Sequence, residues 1–131
     1  MNRIPSPSEP CPASEKTILI VDDEQIIVKS AAALLKRNGY QTLLAYDGMA
    51  ACVCFREHHT RIDLVLLDLE IPVITGAACL RKFKTINPEV RIIAHTGHPE
   101  PPATIIDADA FLAKPYSMKE LLQTVERLLS S

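Results

Sequence analysis

No charge of one sign dominates this chain: 14 Lys and Arg stand against 16 Asp and Glu, for a formal charge of −2. The basic residues are dispersed rather than clustered, which excludes the electrostatic footprint of a nucleic-acid binder. Long hydrophobic runs are also missing. No apolar stretch approaches the roughly 18 residues that cross a bilayer, and the N-terminus lacks the apolar segment of a signal peptide. No membrane partner is expected, and the cytoplasm is the default location. The four cysteines, Cys11, Cys52, Cys54 and Cys79, follow no disulfide-framework spacing. With His58, His59, His95 and His98 they offer neither a Cys-x-x-Cys pair nor a His-Glu-x-x-His helix, so zinc is not called for. Cys52 and Cys79 fall in helical apolar stretches, where a thiol acts as a small hydrophobe. The histidines read as surface or packing residues.

What is present is an ordinary folded composition, 47% hydrophobic and 23% charged over 131 residues. That length makes one domain with a normal core and leaves little room for an output module. Residues 1–16 carry Pro5, Pro7, Pro10 and Pro12 among small and polar residues, so neither helix nor strand propagates there. We read 1–16 as a flexible proline-rich tail and 17–131 as the domain.

From Thr17 onward short apolar runs alternate with helical periodicity, the pattern of an α/β domain with a parallel sheet. The strands read as Thr17 to Val21, Gln41 to Ala45, Leu64 to Leu67, Val90 to His95 and Ala110 to Ala113. A first helix uses Ile27, Ala31, Leu34 and Leu35 and stops at Asn38-Gly39. Asp47 can cap a second helix that buries Ala51, Cys52 and Phe55. Leu80 and Phe83 mark a third, ended by Pro88. In the last helix Ser117 and Glu120 form a capping box ahead of the stripe Leu121, Leu122, Val125, Leu128 and Leu129. The connection between Thr96 and Asp109 is unusual: Pro99, Pro101 and Pro102 leave room for about one turn, Ala103 to Ile106. A fourth crossover helix is expected to be shortened or absent.

Polar residues close these apolar runs. Asp22 and Asp23 follow the first strand, Asp68 the third, Thr96 the fourth and Lys114 the fifth. Right-handed crossovers bring every strand's carboxyl end to one edge of the sheet, where ligands of open α/β sheets bind. A buried strand that ends in acids delivers them to a rim where a cation compensates them. Magnesium suits one or two carboxylates plus a phosphate. A carboxylate such as Asp68, screened by that cation, can attack phosphorus and form an acyl phosphate. Lys114 supplies charge for the phosphoryl oxygens and Thr96 a hydroxyl.

From about Lys16 to Ser131 the chain resembles the receiver domain of bacterial two-component response regulators. The resemblance rests on Val21-Asp22-Asp23-Glu24, on Leu66-Leu67-Asp68 with Pro72 and Gly76, on Ile92 to Thr96, and on Phe111-Leu112-Ala113-Lys114-Pro115. It implies a doubly wound, flavodoxin-like fold with five parallel strands in the order 2-1-3-4-5. It implies Asp68 as phosphoacceptor, and Asp23, Asp68 and the Glu70 carbonyl as direct Mg2+ ligands, with Asp22 acting through metal-bound water. Thr96 and Phe111 take the switch positions, Glu70 and His98 flank the phosphoryl group and tune its lifetime, and Lys114-Pro115 is a cis bond. Asp107 stands where the family often has glycine, and Ile71 where most members have methionine.

The implied function is two-component signal transduction: a stand-alone receiver, monomer or weak dimer, takes a phosphoryl group from a histidine kinase or phosphotransfer protein and changes its contacts with a downstream protein. It would catalyse only its own phosphorylation and dephosphorylation. Two alternatives compete. A phosphatase of the haloacid dehalogenase type needs a second Asp two residues past the nucleophile, where this chain has Glu70, and Pro72 blocks the next position. A phosphorylation-independent pseudo-receiver would be marked by loss of the acceptor or the lysine, and neither is lost.

Overall fold

The computed structural model describes residues 16–97 and 107–130. In chain order it comprises β1 (Thr17–Val21), α1 (Gln25–Arg37), β2 (Gln41–Ala45), α2 (Gly48–His58), β3 (Ile62–Asp68), α3 (Gly76–Ile86), β4 (Arg91–Thr96), β5 (Ala110–Ala113) and α4 (Met118–Leu129). All strands run parallel in one sheet of order β2-β1-β3-β4-β5. The expected order is therefore present, with helices on both faces.

Strand parity divides the core. Leu19, Val21, Val65, Leu67, Ile92 and Ala94 face α2 and α3, where Ala51, Cys52, Phe55, Cys79, Leu80 and Phe83 close the layer. Ile18, Ile20, Leu64, Leu66 and Ile93 face α1 and α4 on the other side. Central β1 is buried at all five positions, while edge strand β2 has one buried, two half-buried and two exposed residues, as the centre and edge of a sheet covered on both faces require. The rings of Phe55 and Phe83 stack with centroids 4.4 Å apart, joining α2 to α3 and adding about 1 kcal/mol to their area burial.

Helix ends follow the expected chemistry. Asp47 accepts from the Ala50 N–H at 2.7 Å, and Ser117 and Glu120 form the reciprocal capping box of α4. Asn38 closes α1, followed by Gly39 at φ 92°, a backbone angle that favours glycine. Cys52 and Cys79 are free and buried, with sulfurs 3.8 Å apart between α2 and α3.

Three expectations are corrected. β3 begins at Ile62, two residues earlier than its apolar run, because Ile62 pairs with Thr17 across a register irregularity. β4 is shifted by one residue, Arg91–Thr96 rather than Val90 to His95, and Thr96 pairs with Ala113. In α1 the buried face is Val28, Ala31, Ala32 and Leu35, while Ile27 and Leu34 are half-buried. In α4, Leu121 and Val125 are fully buried and Leu122, Leu128 and Leu129 pack partly against the same core. Among the described residues there are four helices; the proline-rich connection at 98–106 and residues 1–15 of the tail lie outside them. No helix among the described residues is long and apolar enough to cross a membrane.

Candidate functional site

Parity also builds the site. Asp22 continues the face of Ile18 and Ile20, Asp68 that of Leu64 and Leu66, and His95 that of Ile93, so three polar side chains emerge together on the α1/α4 side of the carboxyl edge. Asp68 and His95 are register partners. Lys114, just past β5, reaches over both acids: its ammonium lies 2.9 Å from Asp22 Oδ2 and 3.2 Å from Asp68 Oδ2. The Lys114-Pro115 peptide is cis.

Asp22 and Asp68 are both buried, and each carboxylate accepts a backbone N–H two residues on, Asp22 Oδ1 from Glu24 and Asp68 Oδ1 from Glu70, both at 2.9 Å. Their electrostatics nevertheless diverge. Burial disfavours the Asp22 anion, but the Glu24 N–H and Lys114 outweigh it and hold its pKa below the usual range. Asp68 is pushed up to about 6, chiefly by burial and then by the neighbouring Asp22 charge, against the Glu70 N–H and Lys114. Lys114 itself is raised, because the two acids overcome its desolvation. One cation shared by two anions leaves a local deficit of positive charge.

Asp23 is exposed, and oxygens of Asp22, Asp23 and Asp68 all lie within 4.8 Å of one another. Oxygen ligands around one magnesium at 2.0–2.1 Å lie at most about 4.2 Å apart. A small side-chain rotation closes that gap, and an oxygen-only donor set is the chemistry a hard dication takes. The residues present fit Mg2+.

Thr96 points to the opposite face from His95, and its hydroxyl donates to Glu70 Oε1, which also accepts the Gly97 N–H at 3.3 Å. Phe111 is half-buried and packs against the α2/α3 core. His98 lies outside the described residues. Below the acids, Gly76 opens α3 against the Asp68-Leu69 backbone. The loop between carries Val73 at φ 76°, with the Ile74 N–H bonded to the Pro72 carbonyl at 3.0 Å, a γ-turn on a β-branched residue.

Sequence reasoning passed over two residues of this site. His95, read as a surface or packing histidine, is fully buried with its ring against Asp22. Tyr116 bonds to it through the hydroxyl at 2.9 Å. The signal was available: a histidine in an apolar run, at the parity that carries the acids of the neighbouring strands.

A doubly wound sheet of this order, with acids and a lysine gathered on its carboxyl rim, has the architecture of flavodoxin-like α/β domains. The chain matches the model of the response regulator receiver domain over residues 18–126, and it belongs to that family. It is 33% identical over 116 residues to sporulation initiation phosphotransferase F of Bacillus subtilis, covering 86% of this chain and 92% of that protein. It is 32% identical over 117 residues to the sensor kinase CckA of Brucella abortus, covering 86% of this chain but 12% of the kinase. Several mycobacterial regulators are likewise matched over only about half of their length, 49% for the probable transcriptional regulatory protein TcrX of Mycobacterium tuberculosis. Among solved structures it resembles the response regulator TrrA of Thermotoga maritima in complex with Mg2+ and beryllium fluoride, with TM-score 0.80 and 30% identity over 87% of this chain and 99% of that one. The protein is a phosphoacceptor receiver of two-component signalling.

Proposed function

We propose that Asp68 is the phosphoacceptor, and that it takes the phosphoryl group of a phosphohistidine on a histidine kinase or phosphotransfer protein. The single observation that carries this reading is the paired contact of Lys114 with Asp22 and Asp68 beside exposed Asp23. An Asp68 oxygen attacks phosphorus, the P–N bond breaks, and the imidazole leaves with the electron pair and takes up a proton. Asp23, Asp68 and the Glu70 carbonyl would hold Mg2+ directly and Asp22 through metal-bound water; bound there, the ion would offset the negative charge of acid and phosphoryl group. Lys114, already aimed at Asp68, pairs with the phosphoryl oxygens. Thr96 exchanges its Glu70 partner for a phosphoryl oxygen, and Phe111, one strand away on β5, changes packing with it. That exchange alters the contacts offered to a downstream protein. Glu70, which borders both acceptor and hydroxyl, tunes the lifetime of the phosphate together with His98. The setting is cytoplasmic.

The test is labelling with a small acyl-phosphate donor. Wild type with Mg2+ should gain one base- and hydroxylamine-labile phosphoryl group, and Asp68→Asn none; equal labelling of both would falsify the assignment.

A further inference from the structure

His95 has no solvent exposure, and an aliphatic side chain could fill the same strand position without asking for hydrogen bonds. Its two ring nitrogens meet different partners. Nδ1 lies 2.9 Å from the Tyr116 hydroxyl, while Nε2 lies 3.5 Å from the Val21 carbonyl and 3.6 Å from Asp22 Oδ2. A neutral imidazole carries one donor and one acceptor, and its surroundings select which nitrogen keeps the proton. The ring is fully buried, and the Asp22 oxygen that Nε2 faces already pairs with the Lys114 ammonium at 2.9 Å. Burial and the charges of Asp22 and Asp68 raise the Tyr116 pKa, so its hydroxyl keeps its proton and donates to Nδ1. The ring proton then sits on Nε2, facing two acceptors. In the opposite tautomer a lone pair would face a carbonyl and a carboxylate, which repels.

We propose that His95 and Tyr116 are positioning residues of the acid pocket, a hydrogen-bonded pair that orients the Asp22 carboxylate by setting the imidazole against the same Oδ2 that Lys114 contacts. This role rests on the reading of the pocket as the phosphoacceptor site. Asp22 thus accepts hydrogen bonds from the Glu24 N–H and the Lys114 ammonium, and the His95 ring of β4 closes on its Oδ2 at 3.6 Å. Lys114 and Tyr116 flank Pro115, so one short segment grips Asp22 twice, directly through the ammonium and indirectly through the imidazole.

The experiment uses the full chain. Nitrogen-15 NMR of the histidine rings in metal-free protein should find His95 protonated at Nε2, and Tyr116→Phe should weaken that bias. A Mg2+ titration followed by amide shifts should give about tenfold weaker affinity for Tyr116→Phe and for His95→Leu, the scale seen when the supports of metal ligands are removed. Because the tyrosine acts through the histidine, the double variant should lose no more than either single one. His95→Gln, which keeps a donor at the ε position, should retain most of the affinity. Denaturation midpoints run alongside separate folding losses from positioning. A wild-type His95 protonated at Nδ1, unchanged Mg2+ affinity in Tyr116→Phe, or additive losses in the double variant would each overturn the proposal while leaving the Asp68 assignment standing. Absence of any Mg2+ binding to wild type would instead overturn the reading of the pocket itself, and this role with it.

Discussion

A β-carbon on Gly76 would stand 2.6 Å from the carbonyl oxygen of Asp68 and 2.6 Å from the α-carbon of Leu69. Helix α3 thus starts directly against the backbone that presents the candidate acceptor, and only hydrogen fits between them. In an open helix alanine would be preferred to glycine by about 1 kcal/mol. Here the neighbours are main-chain atoms that cannot swing aside. Gly76→Ala should therefore destabilise by about 1–3 kcal/mol, a typical overpacking cost, and should slow phosphorylation by a small donor because the Asp68 peptide moves. Urea unfolding and the labelling rate check the two effects; a stabilised variant would contradict the contact.

Lys114→Met keeps much of the packing stem and removes the cation shared by two buried acids. Breaking a buried pair by deleting one partner costs about 3 kcal/mol, so the metal-free variant should unfold at lower urea than wild type. Added Mg2+ should recover much of that loss, since the dication answers the same deficit. Labelling should still fall sharply, because no ammonium remains to meet the phosphoryl oxygens. Full labelling speed in this variant would remove Lys114 from the chemistry.

Asp68 gives a signed pH dependence in the metal-free protein. Its folded pKa of about 6 lies above the ordinary 3.8, so the native state holds this proton more tightly than the unfolded chain does. The contribution favouring the fold is fully present below about pH 4 and is lost as pH rises through about 6. Asp22, whose pKa is lowered, works in the opposite sense but is common to both proteins compared. Asp68→Asn should therefore be more stable than wild type at pH 7, by on the order of 2 kcal/mol. The gap should close towards pH 4. Denaturant midpoints for the pair at several pH values in a chelator measure it, and a gap independent of pH would refute it.

Val73 occupies a γ-turn at φ 76° while its side chain is 73% exposed. A β-branched residue in that region is strained, and little packing is lost by replacing it. Val73→Asn should raise stability by about 0.5–1 kcal/mol. A thermal melt is sufficient, and a lowered midpoint would count against the strain.

Much of the layout was legible in the residues. Short apolar runs at regular spacing located all five strands, and acids, threonine and lysine at their ends announced the occupied edge. The Ser117-Glu120 capping box was written in four residues because its two hydrogen bonds are local. The Asp47 cap was likewise local. Less legible was the turn of α1, where Val28 and Ala32 rather than Ile27 and Leu34 are fully buried. Helix periodicity names a stripe, while its centre is set by how the helix packs on the sheet.

Sequence alone thus determined which groups reach the rim. What they do to one another waited on register. Asp22 and Asp68 look alike as acids behind apolar runs, yet one pKa is lowered and the other raised: burial and then the neighbouring Asp22 charge push Asp68 up, while the Glu24 N–H and Lys114 outweigh the burial of Asp22. His95 reads as one more histidine until β3 and β4 pair Asp68 with it and the turn after β5 lays Tyr116 on its ring. A one-residue slip in that pairing would send His95 to the other face. Local patterns specify an element and its buried side, whereas distances between side chains of different strands, and the charges those distances set, exist only after the sheet has closed.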